Sequence, residues 1–232
     1  TVAEIVTENI RTADVFKKNG IDFCCGGNVN VQDVCKKKGV DYSKIKEDIL
    51  NIGKAPIGAQ DFNTWDIDFL ADYIVNTHHK YVAEANQLIV QYSDRVAKVH
   101  GHHYTETVEI NRLFHAIANE LNQHMVKEEN ILFPFIKEIG KAKKEGLPLS
   151  PPPFGTIQNP INMMEAEHTD AGEIIMQIKE LSNNFTPPEG ACNTFRALYS
   201  KLEEYQNDLF QHIHLENNIL FPKAIQFEKE LL

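Results

Sequence analysis

Two segments of the sequence place a histidine and a glutamate at the same spacing within nearly the same local sequence. The first runs from His124 to Pro134 (HMVKEENILFP) and the second from His212 to Pro222 (HIHLENNILFP). Seven of the eleven positions are identical, which gives the pattern H-x-x-x-E-x-N-I-L-F-P twice. A match of this kind, 88 residues apart, indicates a repeated structural unit.

The spacing of four places the two polar residues of each motif one turn apart on the same helix face. His124 and Glu128, and likewise His212 and Glu216, continue a stripe of apolar residues and are therefore predicted to face a core. Burial of an ionised carboxylate in a core costs on the order of several kcal/mol of folding free energy unless it is paired or bound to a metal. Neither stripe carries a lysine or arginine within its motif, so a metal ion is the favoured partner of each glutamate.

Two further helical segments each place a histidine on an apolar stripe. His168 lies on one of these stripes, and His78 lies on the other. The adjacent His79 instead aligns with Asp68 and Asp72. This alignment favours His78 as the ligand of the first long helix, and His79 stays the alternative because the two residues adjoin.

Together these residues predict one metal site of four imidazoles and two carboxylates, formed by His78, His124, Glu128, His168, His212 and Glu216. A lone buried histidine is more often a hydrogen-bonded core residue than a ligand, but four histidines with two matched glutamates favour a metal centre. Two bridging carboxylates leave each of two metals short of six ligands, so solvent, an oxo bridge or a small gas could complete the shell. Nitrogen and oxygen donors without a thiolate favour iron over manganese or zinc.

The elements that must position these residues are four long amphipathic segments. They cover approximately residues 66–98, 105–144, 160–183 and 192–230, and segments rich in Gly, Pro and Asn separate them. The alternation typical of β-strands is absent, so the sequence predicts an all-α protein containing a four-helix bundle. The two Ile-Leu-Phe-Pro tails are interpreted as core packing with a proline kink or stop.

A shorter segment precedes the bundle. Pro and Gly cluster in Asn51–Gln60, which indicates a linker with a boundary near residue 57. Residues 1–56 are predicted to form a small three-helix domain with a Gly-flanked turn at Cys24 and Cys25, and residues 57–232 to form the bundle. The thiol pair in this turn is either a reactive site or a packed corner.

Composition excludes several other classes of function. The net charge of −10 argues against nucleic acid or an anionic membrane as the main partner. The sequence contains neither an apolar run of about 20 residues nor the layout of a secretory signal, so we expect a cytoplasmic protein without a membrane span. The four cysteines lack C-x-x-C spacing and are expected to be free thiols.

The remaining histidines receive no functional assignment. His100, His102 and His103 surround a glycine in the connection after the first long helix, where solvated polar residues are common. His115 and His214 lie away from the predicted stripes.

The two repeated motifs, the segment Glu165–Gly172 (EAEHTDAG) and the turn Asp22–Gly27 (DFCCGG) are the residues by which the chain resembles a known family. It closely resembles the iron-sulfur cluster repair di-iron proteins of the ScdA/YtfE type, also called the repair of iron centres family. The resemblance covers nearly the whole chain. It implies a haemerythrin-like bundle, two non-haem iron ions with an oxo bridge, a cytoplasmic role in repairing iron-sulfur clusters damaged by nitric oxide or peroxide, and a homodimer.

Residue by residue, the resemblance assigns the same six ligands as the stripes do. It further implies that Glu120 and Glu167 are acidic residues near the metal centre, with a part in iron release or in tuning the ligands. The family's cysteine pair falls on Cys24 and Cys25, which implies thiol redox or nitrosyl chemistry there. Its partners would be damaged iron-sulfur proteins and small gases such as nitric oxide and oxygen.

Three functions are compatible with this site. The first is repair by supplying iron, and the second is reduction of nitric oxide or peroxide at the same centre. The third is reversible oxygen binding, as in haemerythrin, in which additional histidine ligands replace carboxylates. It is disfavoured because the third helix of this chain offers one histidine. A ferritin-like oxidase would need two E-x-x-H motifs, and only Glu165 with His168 has that spacing.

Overall fold

The computed structural model describes residues 1–52 and 61–232, and these residues contain helices and no strand. The all-α prediction is therefore confirmed. The boundary predicted near residue 57 and most of the predicted linker lie outside the described residues. The α-helices are α1 (Val2–Glu8), α2 (Ala13–Lys18), α3 (Val31–Lys38), α4 (Tyr42–Ile52), α5 (Ile67–Ile74), α6 (Lys80–His100), α7 (Glu106–Lys127), α8 (Phe133–Glu145), α9 (Gln158–Leu181), α10 (Asn193–Leu215) and α11 (Phe221–Leu231).

Three turns of π-helix interrupt the long helical segments. They are π1 (Val75–His79) between α5 and α6, π2 (Glu128–Leu132) between α7 and α8, and π3 (Glu216–Leu220) between α10 and α11. Such turns add a residue to the helical turn and are frequent at functional sites. Each of the three contains or begins at a residue of the predicted metal site.

The repeated motif explains two of these turns. The N–H of Phe133 donates to the carbonyl of Glu128, and the N–H of Phe221 donates to the carbonyl of Glu216, five residues earlier in each case. The next residue is Pro134 or Pro222, which has no N–H to donate to the carbonyl four residues earlier. The prolines therefore mark a change of helix type, and α8 and α11 continue beyond them.

The structure divides into two compact units that do not follow chain order. The first comprises the described residues up to Ala71 together with Ile136–Pro151 and Gln211–Leu232, and the second comprises Asp72–Phe135 and Pro152–Phe210. The predicted division into residues 1–56 and 57–232 stays a prediction.

The N-terminal helices of the first unit differ in one respect from the predicted set of three. The first of these helices is split at Asn9, where the backbone is extended (φ −153°) and the Asn9 side chain accepts a hydrogen bond from the N–H of Arg11. Thr1 and Glu4 form a capping box at the start of α1. The split produces α1 and α2, and α3 follows the Cys-Cys turn.

The Cys-Cys turn is fixed to α1 by backbone hydrogen bonds. The N–H of Ala3 donates to the carbonyl of Gly27 at 2.8 Å, and that of Val2 to the carbonyl of Val29 at 3.0 Å. A Cβ atom on Gly27 would lie 2.5 Å from the carbonyl oxygen of Phe23. Glycine is therefore required at this position, where the turn folds back onto the carbonyl of Phe23.

In the second unit, α7 packs against both α6 and α9. A polar bridge crosses its core, where the buried hydroxyl of Tyr205 donates to the side-chain oxygen of Asn86 at 2.8 Å, and the Asn86 amide donates to the Asn122 side chain at 3.1 Å. The Tyr205 ring meets Phe114 edge-on at 5.3 Å. These contacts fix the helices that carry the histidines.

None of the helices in the described ranges is both long enough and apolar enough to cross a bilayer.

Candidate metal centre

In the second unit, three imidazoles converge on one fully buried carboxylate. Oε2 of Glu128 lies 3.3 Å from Nε2 of His79 and 3.3 Å from Nε2 of His124. Nε2 of His168 lies 3.0 Å from Nε2 of His124. A ligand atom from each of His124, Glu128 and His168 lies within 4.8 Å of the others. These distances match a group of donors that share a metal ion.

Carboxylates on the far side of two of these rings orient them. Nδ1 of His124 lies 2.8 Å from Glu167, and Nδ1 of His79 lies 2.8 Å from Glu129. A carboxylate can only accept, so each ring donates its Nδ1–H outward and directs Nε2 towards Glu128. A ligating histidine commonly has this carboxylate partner, which fixes the tautomer needed for metal binding.

Glu167 is itself held in its ionised form. Burial alone would raise the pKa of this carboxyl, but hydrogen bonds from Lys127 and His124 lower the pKa overall. Lys127 forms a short ion pair with Glu167, and 33% of the Glu167 side chain is exposed. Glu167 therefore connects a buried ring to the protein surface.

The donors in this cluster fit a divalent cation. When each oriented ring is neutral, its Nε2 lone pair faces the carboxylate of Glu128 at 3.3 Å, an arrangement of electron-rich atoms that a cation between them would stabilise. Imidazole nitrogen and carboxylate oxygen are ligands that suit iron. The residues present thus fit the predicted metal.

The structure places His79, and not the predicted His78, beside Glu128. His79 was the alternative to the preferred His78, and both histidines are buried, with 2% and 3% of their surface exposed. His78 instead directs Nδ1 to Asp208 at 2.9 Å. The cause is π1, whose additional residue shifts the register, so a count at 3.6 residues per turn selects the wrong neighbour.

The first unit contains the histidine and glutamate of the second motif. Nε2 of His212 lies 2.9 Å from Oε1 of Glu216, and both side chains are buried. The predicted pairing one turn apart is therefore present in each motif, with corresponding distances of 2.9 Å here and 3.3 Å for His124 and Glu128.

The two glutamates implied by family resemblance lie in different surroundings. Glu167 contacts His124 directly, whereas Glu120, one turn before His124 in α7, is exposed. Sequence reasoning missed Glu129 and Asp208, which contact His79 and His78. Glu129 could have been noticed as an acidic residue within the motif, but Asp208 could not, because its partner is 130 residues away.

The Cys-Cys turn is organised by one carboxylate. Asp22 accepts hydrogen bonds from the backbone N–H groups of Cys24, Cys25 and Gly26 at 2.7–3.1 Å. The two Sγ atoms lie 3.8 Å apart, and Cys24 is buried. The hydrogen bond to Cys25, followed by burial, raises the pKa of the Cys24 thiol well above its usual value. Cys24 is therefore a thiol at neutral pH.

The same turn is held by residues of the second motif, within the first unit. The Asn218 amide lies 3.3 Å from the carbonyl oxygens of Phe23 and Cys24, and 3.0 Å from Nδ1 of His214. Burial lowers the pKa of His214 to about 4, although a hydrogen bond to the Phe23 backbone opposes this shift. His214, to which the sequence assigned no role, is thus a buried neutral ring against the Cys-Cys turn.

Comparison with known proteins agrees with this geometry. The family model described as Hemerythrin HHE cation binding domain matches residues 70–224, and the ScdA_N model, described as a domain of unknown function (DUF542), matches residues 1–52. The helical fold and the buried histidine and glutamate donors are those of a cation-binding protein of the hemerythrin class.

Among similar curated proteins are those named Iron-sulfur cluster repair protein YtfE in Yersinia pestis (strain Pestoides F) and Yersinia pseudotuberculosis serotype O:1b (strain IP 31758). Each is 35% identical over 218 residues, which cover 94% of this chain and 93% of the relative. The chain therefore belongs to the YtfE family of hemerythrin-domain proteins, as its motifs predicted. Membership of this cation-binding family implies that iron is the metal.

Proposed function

We propose that this protein repairs iron-sulfur clusters damaged by nitrosative or oxidative stress, and that it does so by supplying iron. The observation that carries the proposal is the buried carboxylate of Glu128, which lies between the imidazoles of His79 and His124. Glu129 and Glu167 already hold the Nδ1 atoms of these two rings. The name of the relatives supports repair as the outcome. It also favours repair over the alternative, reduction of nitric oxide or peroxide at the same centre.

The proposed centre holds two iron ions with an oxo bridge. The repeated motif supports two ions, because each copy supplies one histidine and one glutamate of its own. We choose His79 over His78 because its Nε2 lies 3.3 Å from Glu128. The complete proposed set is His79, His124, Glu128, His168, His212 and Glu216.

Bound iron would be exchangeable, and the surrounding residues would determine how firmly the protein holds it. Glu129 and Glu167 hold two ligand rings in the binding tautomer. Solvent or a client protein can reach both carboxylates, because 42% of the Glu129 side chain and 33% of the Glu167 side chain are exposed, and Glu167 is also paired with Lys127. We infer that loss of the Glu167 contact loosens iron at His124, and that Glu120 has the weaker effect because it is exposed.

A reconstitution assay tests the proposal. Iron-loaded protein is mixed anaerobically with an iron-sulfur enzyme inactivated by nitric oxide, and recovery of that enzyme's activity is measured. We expect recovery with the unaltered protein and none with Glu128→Ala, which removes the central carboxylate. Glu109→Ala is the matched control, since Glu109 is a surface glutamate on the same helix, paired with Arg112.

Two outcomes would contradict the proposal. The iron-loaded protein could fail to restore the enzyme, or free iron at equal concentration could restore it equally fast. Multiple turnover of nitric oxide with an added reductant, in the absence of repair, would support the reductase instead.

Damaged iron-sulfur proteins are the partners that follow from the proposal. Binding of nitric oxide or oxygen, a homodimer and a cytoplasmic location stay predictions from the sequence. Mass photometry of the iron-loaded protein tests the dimer.

A further inference from the structure

A cysteine-histidine pair lies in the second unit, apart from the residues proposed to bind metal. Cys192 immediately precedes α10, and His100 is the last residue of α6. Nε2 of His100 lies 3.2 Å from Sγ of Cys192, and the cysteine is exposed. A thiol next to an imidazole can pass its proton to the ring and react as a thiolate. His100 is thus not simply the solvated residue that the sequence predicted.

The two helix ends favour this proton transfer. The N-terminus of a helix stabilises a nearby anion, and the C-terminus stabilises a nearby cation. Cys192 lies at the N-terminus of the 23-residue α10, and His100 at the C-terminus of the 21-residue α6. Transfer of the proton therefore creates each charge at the helix end that stabilises it.

The pair opens into a cavity that can hold a small molecule. Its volume is about 380 Å³, and its walls include Arg95, His100 and Cys192 together with the apolar Val96 and Val99. This volume lies within the range of small-ligand sites. A guanidinium binds carboxylates through paired hydrogen bonds, so Arg95 favours an anionic ligand next to the thiol.

We propose that Cys192 is a thiolation site that exchanges with small disulfides carrying carboxylates, such as oxidised glutathione. His100 accepts the Sγ proton, and the thiolate attacks one sulfur of the disulfide. A new S–S bond forms to Cys192, the original S–S bond breaks, and the leaving thiolate takes the proton back from His100. The small disulfide is the oxidant, Cys192 is oxidised, and one half of the disulfide leaves as a thiol.

Burial makes the site selective among the cysteines. Cys24 and Cys35 are buried, and burial contributes to raising the pKa of both thiols. Cys25 is half-buried in the Cys-Cys turn. Cys192 alone among the four combines an exposed Sγ with an imidazole and a cavity in the part of the chain that the structure describes. The inference is independent of the proposed repair function.

The experiment uses the full-length, iron-loaded protein with oxidised glutathione at neutral pH, followed by intact-mass measurement and peptide mapping. We expect one glutathionyl group on Cys192 before any other cysteine reacts, and none there in Cys192→Ser. His100→Gln should slow the reaction about tenfold because the proton acceptor is lost. His102→Gln, an exposed histidine in the same connection, is the control and should have no effect.

A second variant tests the cavity. Arg95→Gln should slow the reaction with oxidised glutathione about threefold, the size of an exposed ion pair, and leave the reaction with uncharged bis(2-hydroxyethyl) disulfide unchanged. Arg112→Gln is the matched surface control. Modification of Cys25 ahead of Cys192, or an unchanged rate in His100→Gln, would overturn the proposal. An equal effect of Arg95→Gln on both disulfides would overturn the assigned ligand class.

Discussion

The adjacent His78 and His79 show how a single residue's surroundings decide its role. Both are buried, but Nε2 of His79 faces the Glu128 carboxylate, whereas His78 is bound through Nδ1 to the partly exposed Asp208. The arrangement of His79 combines an Nδ1 held by Glu129 with an Nε2 directed at another donor of the proposed site.

We therefore expect His79→Gln to lose iron and His78→Gln to keep most of it. The reason is that glutamine at position 79 removes a ligand of the proposed set, whereas at position 78 it removes a contact to Asp208, which is not in that set. Iron per chain after anaerobic gel filtration, with competition by a chelator, measures the difference. The reverse order of iron loss would restore the sequence-based choice of His78.

At the scale of elements, the two repeated motifs use their common asparagine differently. Asn218 contacts the backbone carbonyls of the Cys-Cys turn, whereas the exposed Asn130 donates to a carbonyl of its own helical segment, that of Val126, at 2.8 Å. The two copies therefore share this asparagine but have different surroundings, and the second copy fixes the turn that contains the thiol pair.

Asn218→Ala should destabilise the first unit and expose the thiols. Loss of hydrogen bonds to partly buried carbonyls should lower the free energy of unfolding by about 1–2 kcal/mol and accelerate alkylation of Cys24. Asn130→Ala controls for helix propensity and should change the free energy by less than about 0.5 kcal/mol. Urea unfolding and iodoacetamide labelling provide the two readouts. Equal effects of both substitutions would mean that Asn218 does not hold the turn.

At the scale of the whole molecule, metal binding should be coupled to stability. A metal that binds only the folded state adds about 4 kcal/mol when its free concentration is a thousandfold above Kd. In the proposed set, removal of iron also takes a positive charge away from the buried Glu128 carboxylate. We expect the midpoint of thermal unfolding to fall on chelation in the unaltered protein and to stay unchanged in Glu128→Ala. Identical midpoints with and without iron in the unaltered protein would contradict this coupling.

The all-α class and the two histidine-glutamate pairs could be predicted from the amino-acid sequence, because both depend on spacing within one helix. A separation of four residues fixes the relation of His124 to Glu128 whatever the rest of the chain does. The predicted binding of nitric oxide and the dimer depend on family resemblance and are untested by the structure.

The choice of His79 and the long-range contacts of His78 and His100 could not be predicted from local periodicity. The π1 turn changed the register and brought His79 to Glu128, because one added residue rotates all the residues that follow it relative to a regular helix. Asp208 contacts His78 although the two residues are 130 positions apart in the sequence, and Cys192 contacts His100 across 92 positions. Such contacts depend on how helices pack, and packing is a property of residues that are distant in the chain.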